Sequence, residues 1–299
     1  MNATSGSFSL NVPGTPVVAY LYWAGYDHEA AGDNQVSLAV DGGAATMINA
    51  QKTFGPDLWL LDNGVRPNLF HWVFRADVTN LVQQGTHSYT VSDFSPKNAY
   101  GVNYGAGLLV VYEDANLPNG PIQILEGLDS AYWNFPAPRG PDTDVSCLTF
   151  DSATFHRDMQ ITTFAGGVEG TNRPNNLWIL TGSGTPPSEV IGAAGTTKIT
   201  QPFFESDGEQ WDTFGTEVEV SPGDTWVCMQ VESVSPDDTG LPDTNGSSLL
   251  WLAAGGVFLT GQPTAVTLSG LSASSGGASL VWLFLIPAVV LLLALWRRR

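Results

Sequence analysis

The sequence predicts an all-β protein: two tandem antiparallel β-sandwiches of jelly-roll or immunoglobulin-like type, a stalk, and one C-terminal transmembrane helix. Three observations predict it. Turn residues are abundant, with 33 glycines and 19 prolines, while ten tryptophans and fourteen phenylalanines supply core and only 13% of residues are charged. Short apolar stretches recur in the same order in two halves of the chain. A run without a charge, Leu280 to Trp296, is closed by Arg297, Arg298 and Arg299.

The first half reads as strands at VVAYLYW (17 to 23), QVSLAV (35 to 40), FHWVFRADV (70 to 78), HSYTVSDF (87 to 94) and GLLVVYED (107 to 114). Turn clusters such as AGDN, DGG, QQGT and NLPNGP separate them. The second half repeats the series at MQITTFAGG (159 to 167), NLWILTG (176 to 182), QWDTFGTEVEV (210 to 220), DTWVCMQV (224 to 231) and SSLLWLAAGGVFL (247 to 259). Alternation in HSYTVSDF and TEVEV marks strands with one wet face, whereas LLVVY and LLWLAA are apolar on both faces and read as central strands.

Six landmarks relate the halves at separations of 137 to 141 residues: Ala24-Gly25 with Ala165-Gly166, Val36 with Leu177, Trp72 with Trp211, Gly85 with Gly223, Tyr89 with Trp226, and Leu108-Leu109 with Leu249-Leu250. The expected organisation is a first sandwich over 1–128, a second over 129–260, a Gly/Ser-rich stalk over 261–279, a transmembrane helix over 280–296 and a basic stop over 297–299.

The helix would span about 25 Å, at the short limit for a hydrocarbon core of about 30 Å. Arginines favour the cytoplasmic side, so the body is expected outside the cell and the C-terminus inside. MNATSGSFSLNVPGT has neither part of a signal segment, which points to a natural start other than Met1, with export by another route as the alternative. Net charge is −18, so nucleic acid and anionic lipid are poor partners. Outside the cell Cys147 and Cys228 are expected to pair, with two buried thiols as the alternative.

The strings AYLYWAGY, RADVTNLV with GTHSYTVSDF, GAGLLVVYEDANLP with ILEGLDS, GEQWDTFGTEVEV and GSSLLWLAAGGVFL resemble a family of secreted β-rich domains in bacterial and archaeal surface proteins. The resemblance covers most of residues 15 to 260 and implies an adhesin-like surface protein with no assigned activity. The tail resembles those read by exosortase-like or rhombosortase-like processing enzymes, with only Ser275-Gly276-Gly277 for a signature; a plain anchor is the other reading. GLPDTNG (240 to 246) departs from a sortase signal by an intruding asparagine and reads as a loop.

Catalytic chemistry is sparse. No GxSxG elbow occurs, and His28, His71, His87 and His156 lack the spacing of a zinc site. His28 reads as a solvated turn residue between Asp27 and Glu29, and His71 and His87 as ordinary strand residues. Two acidic clusters have the oxygen content calcium takes: Glu205, Asp207, Glu209 and Asp212, then Asp237, Asp238 and Asp243 with Asn245. Structural calcium is the one metal expected, and solvated turns are the alternative. Aromatic residues Trp59, Tyr100, Tyr104, Tyr132, Trp133 and Phe135, in or beside predicted loops, are candidates for stacking on a sugar. For Trp133 a plug between the sandwiches is preferred. The sequons at Asn2 and Asn245 serve as surface markers.

These features favour a structural or adhesive surface module with a glycan or protein partner, tethered to the membrane by its C-terminal helix, and no enzyme activity. The competing class is an extracellular glycan-acting hydrolase with Asp207, Glu209 and Asp212 as acid and base.

Overall fold

The computed structural model describes residues 4–29, 31–65, 67–94, 101–117, 120–168, 174–203, 210–235 and 248–259. The expected stalk, transmembrane helix and arginine stop lie outside the described residues. Within them there is no α-helix, and no helix long and apolar enough to cross a membrane.

Among the described residues sixteen strands form four antiparallel four-stranded sheets. The first half supplies β1 (Ser5–Val12), β2 (Thr15–Asp27), β3 (Gln35–Val40), β4 (Thr46–Asn49), β5 (Lys52–Leu60), β6 (Leu69–Asp77), β7 (Gly85–Ser92) and β8 (Val102–Glu113). The second supplies β9 (Ile122–Tyr132), β10 (Ser146–Thr149), β11 (Arg157–Gly166), β12 (Asn175–Gly182), β13 (Thr197–Thr200), β14 (Trp211–Val220), β15 (Trp226–Ser233) and β16 (Ser248–Phe258). Sheet orders are β1-β7-β3-β4 and β5-β6-β2-β8 in the first half, then β14-β11-β16-β9 and β10-β15-β12-β13 in the second.

Alternation along β2 explains the layering. Ala19, Leu21 and Trp23 point into a core shared with Val36, Leu38 and Tyr89 of the facing sheet. Tyr22 and Ala24 point the other way, into a third cluster with Val73, Tyr104, Phe164, Trp211 and Leu250. That cluster belongs to both halves, so the inner sheets are buried on both faces and four layers share three apolar interiors. Close approach is possible because β8 offers glycines where β14 brings an indole. A Cβ on Gly107 would lie 2.7 Å from Trp211 Cζ2. The expected division at 128/129 falls inside β9, which pairs with β16 while also facing β5 and β6.

The two halves repeat one plan, though not at all the landmarks expected from sequence. Trp23 pairs with Phe74 and Ala106 as Thr163 pairs with Phe214 and Ala254. Val36 and Leu177 occupy equivalent places, each in its core and opposite Ile48 or Ile199. Trp72 and Trp211 do not: Trp72 lies in the first core, whereas Trp211 lies between the halves. Tyr89 corresponds to Val227 rather than Trp226, and Leu108 corresponds to Gly256 rather than Leu249. A slip of one residue turns a side chain to the opposite face, which separates Trp72 from Trp211 and Tyr89 from Trp226, whereas Leu108 and Leu249 both face their own cores at positions seven residues out of register.

Candidate functional site

A gathering of charged residues sits where β5 meets β9. Both strands are irregular there. The β5–β6 register shifts between Phe54 and Asp57, and the β9–β16 register shifts between Asp129 and Glu126. Such bulges re-aim side chains. Gly55 is needed at its bulge, since its φ is +108° and a Cβ would meet the His71 carbonyl oxygen at 2.7 Å.

The result is a cleft of about 570 Å³ whose polar lining comes from Asp57, Asp129, Ser130, Arg139, Asp142 and Asp144, with Phe54 and Leu128 as apolar walls. Arg139 arrives on a turn closed by its amide donating to the Pro136 carbonyl, and its guanidinium lies 4.0 Å from the centre of the Phe135 ring. It donates to Asp57 Oδ2 at 2.8 Å and to the Leu58 carbonyl, tying the halves together. Asp129 accepts the Asp144 amide at 2.6 Å. Burial, helped by the Asp144 and Asp57 charges, raises the Asp129 carboxyl to about 6. Burial with the Glu232 and Glu189 charges likewise raises Asp142 to about 6.

Behind the cleft lies His71, buried and bonded across the seam. Its Nδ1 is 2.9 Å from Ser130 Oγ and its Nε2 2.7 Å from the Tyr104 hydroxyl. Burial first, then the Arg139 charge, lowers the imidazole to about 3, so it remains neutral. A second tie is Glu126, which accepts from the Tyr22 hydroxyl at 2.9 Å and pairs with Lys52 at 2.5 Å and Arg75 at 3.2 Å.

Of the residues expected from sequence, Trp59 lies in β5 rather than a loop, stacked on His71 at 4.9 Å and beside Tyr26 at 4.5 Å. Tyr104 lies within β8 rather than in or beside a loop, and only 4% of its surface is exposed. Tyr132 packs against Trp133 and Phe135, and the Trp133 amide donates to Ser233 Oγ at 2.9 Å. Asp212 is buried on β14, and among the described residues no group of His, Cys, Asp or Glu is arranged to hold a metal. Tyr100, Glu205, Asp207, Glu209, Asp237, Asp238, Asp243 and Asn245 lie outside the described residues. Cys147 and Cys228 form a disulfide between neighbouring strands β10 and β15. His28, His87 and His156 each stand beside a carboxylate: Asp27, Asp41 and Glu219.

Sequence reasoning missed Asp57, Asp129, Arg139, Asp142 and Asp144. One signal was available: Gly-Pro-Asp occurs at 55–57 and again at 140–142, and the whole first copy and Asp142 of the second line the cleft.

Fold and site together define an antiparallel β protein with a polar, acidic cleft between repeated halves. A family model described as "Protein of unknown function (DUF3344)" matches residues 1–190, and the chain belongs to that family. No curated protein matches it in sequence. Among solved structures it is similar to the N-terminal CBM22-1-CBM22-2 tandem domain of Xyn10C from Paenibacillus barcinonensis. The identity is 11%, the match covers 85% of this chain and 82% of that one, and the TM-score is 0.26.

Proposed function

We propose that the protein is a surface-held binding module that takes a neutral, hydroxyl-rich ligand of the glycan class in the seam cleft. The observation that carries this reading is the cleft itself, where carboxylates from both halves and one guanidinium converge between apolar walls. Carboxylates accept from sugar hydroxyls and Arg139 donates to them, while the excess of aspartates disfavours phosphates and acidic sugars. The Cys147–Cys228 disulfide supports an oxidising compartment, and the uncharged run ahead of three arginines supports a membrane tether.

A glycan array on the 299-residue chain, followed by titration calorimetry of any hit, tests it. Asp57→Asn and Asp144→Asn are each expected to weaken binding by about tenfold or more, the worth of one charge-assisted hydrogen bond. Absence of any neutral glycan hit, or hits indifferent to both variants, refutes the reading.

A second reading has its own support. Asp129 and Asp142 hold protons near pH 6, and a carboxylic acid beside a carboxylate is the pairing that glycoside hydrolysis uses. Release of reducing ends from a bound glycan, lost in Asp129→Asn with binding retained, would favour this hydrolase.

A further inference from the structure

Four sheets present eight edges, and six of them are protected. β4, β10 and β13 have four residues each. β5 carries Lys52, Pro56, Asp57 and two register shifts; β9 carries Glu126, Asp129 and a bulge; β14 carries Asp212, Glu217 and Glu219. Charge, proline, bulges and brevity are the usual means by which an edge avoids pairing with another chain. The remaining two are long and almost uncharged, although β8 carries one bulge, at Tyr104. β1 runs eight residues without a charge or proline, and β8 runs twelve with only its last residue, Glu113, charged.

These two edges lie on the same side of the first half. Between them runs a groove of about 560 Å³, lined by Ser5–Leu10 of β1 and Asn103–Leu108 of β8, with Phe94, Phe164 and Trp211 beneath and no charged residue in its lining. Six residues of strand are about 20 Å long, the reach of a short peptide.

The second half shows what such a place holds. β16 is the counterpart of β8, since Ala254 stands to Thr163 as Ala106 stands to Trp23. The outer edge of β16 is covered by β9, paired from Ile122 to Tyr132. No described strand pairs with the corresponding edge of β8.

We propose that the β1–β8 groove is a strand-addition site, which takes an extended, uncharged peptide segment of another protein as an antiparallel strand along β8. Main-chain hydrogen bonds would supply affinity, and the lining without charge would select uncharged side chains. A second copy of this chain is the poorer occupant, because each carries a net charge of −18.

The test uses the 299-residue chain in a mild detergent and a synthetic peptide of the β9 sequence, residues 122–132, carrying Glu126→Gln and Asp129→Asn. Its Leu125 is expected to lie opposite Ala106, as Leu125 lies opposite Ala254 in the protein. Saturable binding, weakened at least about tenfold by Ser7→Lys with Ser9→Lys and abolished by Leu125→Pro in the peptide, is the expected result. Ser7 and Ser9 are exposed, so the protein variant should melt as the parent does. No binding by the parent, or binding indifferent to the lysines, overturns the proposal. Concentration-dependent self-association that the lysines abolish overturns the assignment of the strand to another protein.

Discussion

Removing the carboxylate of Glu126 tests whether the seam is a structural interior. The Lys52 contact involves a side chain 46% exposed and contributes at most about 1 kcal/mol. Arg75 and Glu126 are only 17% and 16% exposed, and Tyr22 donates to the same carboxylate. Glu126→Gln keeps an acceptor for Tyr22 but leaves the Arg75 charge facing a neutral amide, a loss of about 1–2 kcal/mol. Glu126→Ala also strands the Tyr22 hydroxyl and should lose about 3–4 kcal/mol. At about 2–4 °C per kcal/mol for a body of this size, the alanine variant should melt roughly 6–16 °C below the parent and the glutamine variant in between. Thermal unfolding followed by circular dichroism measures this. An alanine variant melting within about 1 °C of the parent would refute the reasoning, because a solvated surface pair behaves that way.

Three further outcomes rest on buried groups, the disulfide and the glycine–indole contact. Asp129 and Asp142 hold their protons to about pH 6, above the ordinary carboxylate value, so their contribution to stability is greatest below about pH 4 and is lost as pH rises through 6. The melting temperature should therefore be higher at pH 5 than at pH 7.5, and Asp129→Asn should raise it at pH 7.5 and flatten the difference. Replacing Cys147 and Cys228 by alanine opens a cross-link over a sequence separation of 81, worth about 4–5 kcal/mol in the chain-entropy model, and urea denaturation should register a loss of that order. Gly107→Val drives a side chain into Trp211 and should lose about 1–3 kcal/mol, and a double-mutant cycle with Trp211→Ala should show the two changes to be strongly non-additive.

The strands that gave no signal share one physical feature, although two legible strands, β8 and β14, are edges as well, and LLVVY of β8 is not the central strand its two apolar faces suggested. β2, β3, β6, β7, β11, β12, β15 and β16, each flanked by a partner on both sides, announce themselves by apolar or alternating runs. Those that gave no signal, β1, β4, β5, β9, β10 and β13, are all edge strands. An edge needs no second apolar face and often carries the Gly, Pro and charge that read as loop, as KTFGPDLWL of β5 does. The cleft was hidden for the same reason. Its residues come from two edge strands and one turn, far apart in sequence, and only the repeated Gly-Pro-Asp hinted at them. Internal duplication was legible as order and spacing, while the facing of Trp72 and Trp211 was not, because identity of residue type carries no information about the face of a pleat.

Two halves are joined through a buried seam into one body, and the proposed ligand cleft depends on that union. Differential scanning calorimetry tests it most directly. For the roughly 250 residues of the β body, one endotherm of about 180 kcal/mol is expected, with calorimetric and van't Hoff enthalpies in a ratio near one. Two endotherms, or a ratio near two, would mean that the halves unfold independently and would contradict a seam that acts as a shared core.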